Sequence, residues 1–198
     1  MGFWMGITRH DSEEILQLLD HPEGPDAGRE RVRNEWNSDD DYRRPGSQLR
    51  TLESTHITRT WDAIHTLLTG CENIDMVDFA PPTGEPPASD VIMGGLIIGR
   101  RGGHGLRMNN LLLLMPDEVR AVDRFLRGID LDEVIQERRD LLDEVYVYSF
   151  CTTIRKEDGS EQESNMAEDG SLADDFATLR NFYARAAEAG NAVIKDIS

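Results

Sequence analysis

Lysine is nearly missing from this chain: Lys156 and Lys195 are the only two among 21 basic residues, and all the others are arginine. That bias is what a GC-rich genome produces, and by itself it makes no phosphate-binding surface. Cysteine is as scarce, with only Cys71 and Cys151. Two thiols exclude a disulfide framework and a four-thiolate zinc site. No apolar run approaches the roughly 18 residues that a membrane-spanning helix needs. The opening residues M-G-F-W-M-G-I-T-R-H lack the basic start and apolar stretch of a secretory signal, and Gly6 stands where a myristoylation motif wants Ser or Thr. A cytoplasmic protein with no membrane contact is expected. Positive charge is short overall, with 21 Lys and Arg against 38 Asp and Glu, a net charge of −17. Nucleic-acid binding needs a basic face to release counterions, so this balance argues against it. An acidic field steers basic partners, and it also simply keeps a protein in solution.

The stretch that organises the rest is 57–70, reading I-T-R-T-W-D-A-I-H-T-L-L-T-G. Ile57, Trp61, Ile64 and Leu68 recur at helical spacing and lay one apolar stripe. Thr58 suits the N-cap, and Gly70 the left-handed position after the last turn. The spacing therefore predicts a core helix, sunk against a sheet.

Before it, residues 2–9 read as a strand, and Asp11 with Glu14 forms a capping-box pattern for a helix carrying Ile15, Leu16, Leu18 and Leu19. Pro22 and Pro25 should stop that helix. Between 23 and 50 apolar residues thin out, which predicts a polar, partly irregular insertion with a short helix at 29–36. Asp39-Asp40-Asp41 lacks the ligand spacing, turn glycine and final glutamate of a calcium loop. Further on, 74–80 and 91–98 read as strands, the second carrying Gly94-Gly95, where a bulge is expected. Residues 108–115 are apolar on both faces and predict a central buried strand. Pro116 opens a helix with Val119, Val122, Phe125 and Leu126 inward, and Asp130 caps another. The alternation in 144–151 suggests a strand, 157–171 a loop, and 192–197 a closing strand. The last helix places Leu172, Phe176, Leu179, Tyr183 and Ala186 on one side. Elements in this mixed order predict an α+β domain, one mixed or antiparallel sheet with helices largely on one face. Trp61, Ile64, Leu68, Phe125 and Phe176 are its expected core.

Three segments carry a resemblance. They are the Met-Gly start, T-W-D-A-I-H-T-L-L-T-G, and a third set joining G-H-G-L-R, P-D-E-V-R and R-N-F-Y-A-R-A-A-E-A-G-N-A-V-I. Together they are similar to the YfbM-like family, bacterial proteins with a domain of unknown function, whose helix has Trp61, His65, Thr69 and Gly70 in place. The likeness spans most of the chain and departs at 29–49 and at Gly99-Arg100-Arg101-Gly102. It implies a single α+β domain over residues 1–198, and it carries over no activity.

The run G-G-L-I-I-G-R-R-G-G-H-G is the most conspicuous candidate for chemistry. Arg100 and Arg101 stand where a Walker loop requires Lys and Ser or Thr, and no G-x-G-x-x-G opens a helix. A GXXG clamp for nucleic acid joins two helices, whereas a strand follows here. Arginine forks and exposed amides in such a loop could still hold an anion or a carboxylate. The candidate ligand-binding residues are therefore His65, Arg101, His104 and Arg107. His65 reads first as a half-buried histidine donating to a carbonyl or to a carboxylate such as Asp62, and in the functional version as a general base facing the 99–107 loop. No H-x-x-x-H or H-E-x-x-H spacing exists, nor a G-x-S-x-G elbow, so neither a metal, a cofactor nor a serine nucleophile is expected. The preferred reading is a non-enzymatic protein-binding module, an inhibitor or immunity-type partner of a basic protein or enzyme. The alternative is a small-ligand-binding protein or enzyme with a pocket between the 99–107 loop and the 58–69 helix.

Overall fold

A computed structural model describes residues 4–39, 49–71, 84–100, 110–142, 151–155 and 159–197. Its centre is a five-stranded sheet in the order β2-β1-β7-β4-β3. The strands are β1 (Met5–His10), β2 (Thr51–Ile57), β3 (Leu96–Arg100), β4 (Asn110–Leu114) and β7 (Ala192–Ile197). Every pairing in it is antiparallel, which makes the fold α+β as the element order predicts. The helices are α1 (Ser12–Leu19), α2 (Pro25–Asp39), α3 (Trp61–Thr69), α4 (Pro116–Arg127), α5 (Leu131–Glu137), α6 (Arg139–Leu142) and α7 (Ser171–Ala189). A separate hairpin pairs β5 (Cys151–Arg155) with β6 (Glu161–Asn165).

Alternation along the strands divides the apolar residues between two cores. On one face Met5, Ile7, Ile57, Leu114 and Val193 pack with α3, α4 and α7. On the other, Leu111, Leu113, Ala192 and Ile194 pack with Ile15 and Leu18 of α1 and Val32 of α2. The four leucines of β4 are all buried because the strand lies inside the sheet with helices above and below it. Helices thus cover both faces, the larger set on the α7 side, where an arrangement largely on one face is expected from the sequence.

Several boundaries move. Ile57 ends β2 and α3 starts at Trp61 with Thr60 as N-cap, so the apolar stripe joins a strand end to a helix. Gly70 takes the left-handed conformation at φ 69°, as read from the sequence. Pro25 does not end a helix but opens α2, which converts most of the expected irregular insertion into 15 helical residues. Asp11 caps α1 by accepting from Glu13 and Glu14 amides, whereas the Glu14 carboxylate accepts from the Arg50 amide. Leu16 faces solvent on that helix. Residues 89–91 form a 3₁₀ turn rather than strand, and β3 begins only at Leu96. Part of the loop expected at 157–171 is β6. The strands expected at 74–80 and 144–150 lie outside the described residues. Of the expected core, Trp61, Ile64, Leu68 and Phe176 are buried, while Phe125 is half-buried at its edge.

Candidate functional site

Every residue of α3 from Trp61 to Leu68 is buried, and His65 is among them. The helix is wedged between the sheet and α5, α6 and α7, so His65 belongs to the interior of the α7-side layer. Arg101, His104 and Arg107 lie outside the described residues. Near α3, the Trp61 indole N–H is buried with no hydrogen-bond partner among the described residues. Arg138 closes the other end of the helix by donating to the Leu67 carbonyl.

The described surface carries a different concavity, an open cleft of about 690 Å³ between the start of α4 and the segment leading into β3. Its apolar walls are Pro86, Pro87, Leu96 and Ala121. Among the described residues its charged lining consists of the carboxylates Asp90, Asp117 and Glu118. Pro116 fixes the first turn of α4, and the Glu118 carboxylate reaches back to accept from the Met115 amide at 2.7 Å. Asp117 pairs with Arg120 one turn on.

Asp90 sits on the 3₁₀ turn, and that turn is clamped from below. Lys195, on the central strand β7, is fully buried and donates its ammonium to the Asp90 carbonyl. The Tyr183 hydroxyl of α7 donates to the Val91 carbonyl at 2.8 Å and lies 3.4 Å from that of Asp90. Gly94 closes against the turn from the other side. A Cβ there would stand 2.1 Å from Asp90 Oδ1 and 2.8 Å from the Asp90 amide nitrogen, so only glycine fits. The backbone of Asp90 is therefore held by three elements, yet its carboxylate makes no hydrogen bond among the described residues. Only 7% of the residue is exposed, and it lines the cleft.

Charge and burial work against each other here. Burial pushes the Asp90 carboxyl above its ordinary range, with Lys195 pulling it down and Glu118 pushing it up. Burial also lowers Lys195 to about 7, against the opposing pull of Asp90 and Glu118. The Tyr183 phenol is pushed up by burial and then by Asp90, so it stays neutral and acts only as a donor. The arrangement presents one poised carboxylate to an acidic, partly apolar opening. It suits retention of an organic cation. The described His, Cys, Asp and Glu residues form no group of three able to hold a metal ion.

The profile of a domain of unknown function, DUF1877, matches residues 1–195. The chain belongs to the DUF1877 family. Its fold is similar to that of YfbM from Escherichia coli, a crystal structure described as a protein of unknown function. The two share 21% identity at a TM-score of 0.55, covering 98% of this chain and 99% of that one. At that identity the likeness shows a shared fold. No curated protein matches the chain. The YfbM-like resemblance read from the Trp61–Gly70 stretch and the chain's two ends is thus borne out.

Sequence reasoning on this DUF1877 chain missed Asp90, Tyr183 and Lys195 as a group, because they are distant in the chain and follow no motif spacing. One signal was present: Lys195 is a rare lysine inside the apolar strand A-V-I-K-D-I. A lysine on the inward side of a buried strand requires a partner.

Proposed function

We propose that this protein acts by contact, binding a basic protein partner through its acidic surface, as an inhibitor or immunity-type partner of a toxin or enzyme does. The observation that carries the reading is the surplus of acid, 38 carboxylates against 21 basic side chains. Much of the positive charge in the described structure is already paired within the chain. Arg9 and Arg185 meet Glu53, Arg33 meets Glu30, and Arg127 meets Asp123. The remaining carboxylates set the field that an approaching partner meets, which accelerates encounter and weakens steeply as salt rises. A cytoplasmic setting is part of the same proposal.

The test is affinity capture from the native host at low salt, followed by elution in a salt gradient. A basic protein released as ionic strength rises supports the reading. Failure to retain any protein at low salt refutes it.

A further inference from the structure

We infer that the cleft between α4 and the 89–95 segment is the socket for a basic side chain of that partner, with Asp90 as the anchoring carboxylate. This rests on the contact reading above and adds to it a place and a ligand chemistry. Three observations converge.

The acidic lining is not a group of equivalent carboxylates. Glu118 is committed to the Met115 amide and Asp117 to Arg120, whereas the Asp90 carboxylate accepts no hydrogen bond among the described residues. A carboxylate with 7% of its residue exposed and no hydrogen bond among the described residues carries, when ionised, a desolvation cost that a bound cation would offset. Its position is fixed independently of any ligand, because Lys195 and Tyr183 hold the turn's carbonyls and Gly94 backs it. Such preorganisation lowers the cost of binding.

The charge balance keeps the opening negative. Lys195 lies beneath the turn and Arg120 beside Asp117, against the carboxylates Asp90, Asp117 and Glu118, so the described lining carries a net negative charge. The described carboxylates do not converge as a metal set, which directs the choice to an organic cation.

The walls fit a side chain rather than a bare ion. Pro86, Pro87, Leu96 and Ala121 offer apolar surface for the stem of an arginine or lysine, whose charged head then reaches Asp90. A volume of about 690 Å³, open on one side, admits the side chain together with flanking backbone.

The experiment uses the full chain labelled with nitrogen-15 at low salt, titrated with N-acetylated hexa-arginine amide and, separately, with spermidine. Amide shifts concentrated at Gly94, Gly95, Leu96 and Ala121 on adding the peptide are the expected result. Asp90→Asn should bind the peptide about tenfold more weakly, the loss of one charge-assisted bond. Ala121→Arg, which places a guanidinium in the cleft from the surface of α4, should weaken binding to a similar degree and does not depend on Asp90→Asn folding well. Spermidine binding here as tightly as the peptide would overturn the assignment to a protein side chain. Peptide affinity unchanged in both variants, or shifts spread over other faces, would overturn the socket. In the capture experiment the two ideas separate. Partner retention unaffected by either variant sinks the socket alone, whereas no retention by the unaltered protein sinks the contact reading.

Discussion

Replacing Lys195 with methionine should make this protein more stable at mildly acidic pH, although it removes a hydrogen bond from the core. Lys195 is fully buried on β7, and burial lowers it from 10.5 to about 7. The groups facing it are Asp90 on the 3₁₀ turn, Glu118 on α4 and the neutral Tyr183 hydroxyl on α7. Below pH 7 both the folded and the unfolded chain hold the proton, and the folded form bears the full cost of a buried charge. Between about 7 and 10.5 the unfolded chain binds more protons, so stability rises with pH across that window. At about 1.4 kcal/mol per pH unit, the lowering caps the effect near 5 kcal/mol. Losing the bond to the Asp90 carbonyl takes back about 1–2 kcal/mol, and Tyr183 still approaches that carbonyl. A net gain of a few kcal/mol at pH 6 follows, shrinking towards pH 10. Urea unfolding of parent and Lys195→Met at pH 6, 8 and 9.5 measures it, the difference reporting Lys195 together with the Asp90 carboxyl that it pulls down. A variant less stable than the parent at pH 6, or a difference constant across pH, would refute the argument.

Other expectations follow from the same contacts. Trp61→Ala should cost roughly 3–5 kcal/mol, the range for emptying a buried aromatic site, and a melting point within a few degrees of the parent would show α3 to be peripheral. Trp61→Phe should cost far less, because it keeps the ring while removing an indole N–H that has no partner among the described residues. Gly94→Ala should lower stability by about 1–3 kcal/mol, since the methyl would meet the Asp90 backbone and carboxylate; an unchanged denaturation midpoint would contradict this. Glu53 is held below its ordinary 4.5 by Arg185 and Arg9, so its stabilisation is present above that value and is lost as pH falls through the folded-state one. Glu53→Gln should therefore cost up to about 1 kcal/mol at neutral pH and nothing in strong acid, read by thermal melts at both.

Local patterns predicted the fold well where one periodicity dominated. The apolar face of α7, the proline at the start of α4 and the uninterrupted leucines of β4 each stand where their spacing places them. Errors arose where two elements shared a pattern. Ile57 continues the α3 stripe by chance of spacing, although it belongs to a strand, and this hid most of β2. Strand β2 is an edge strand whose residues alternate between exposed and half-buried, so its sequence T-L-E-S-T-H-I carries little apolar signal. Pro25 was ambiguous because proline ends one helix and begins another by the same fixed φ. The site was less legible still. Its carboxylates are ordinary surface residues by sequence, and what distinguishes Asp90 is a clamp assembled from β7, α7 and a glycine four residues away.

Strand β7 lies between β1 and β4, bonded to both. The β1–β2 and β3–β4 pairs each join neighbouring parts of the chain, but they share no edge until residues 192–197 arrive between them. During synthesis each ribbon waits with an open border, the kind that recruits strands from other molecules. Closure of the sheet therefore hinges on β7 sliding into a prepared slot. Cutting that strand away would give two halves that cannot knit, and so a protein that clumps rather than one that is merely shortened.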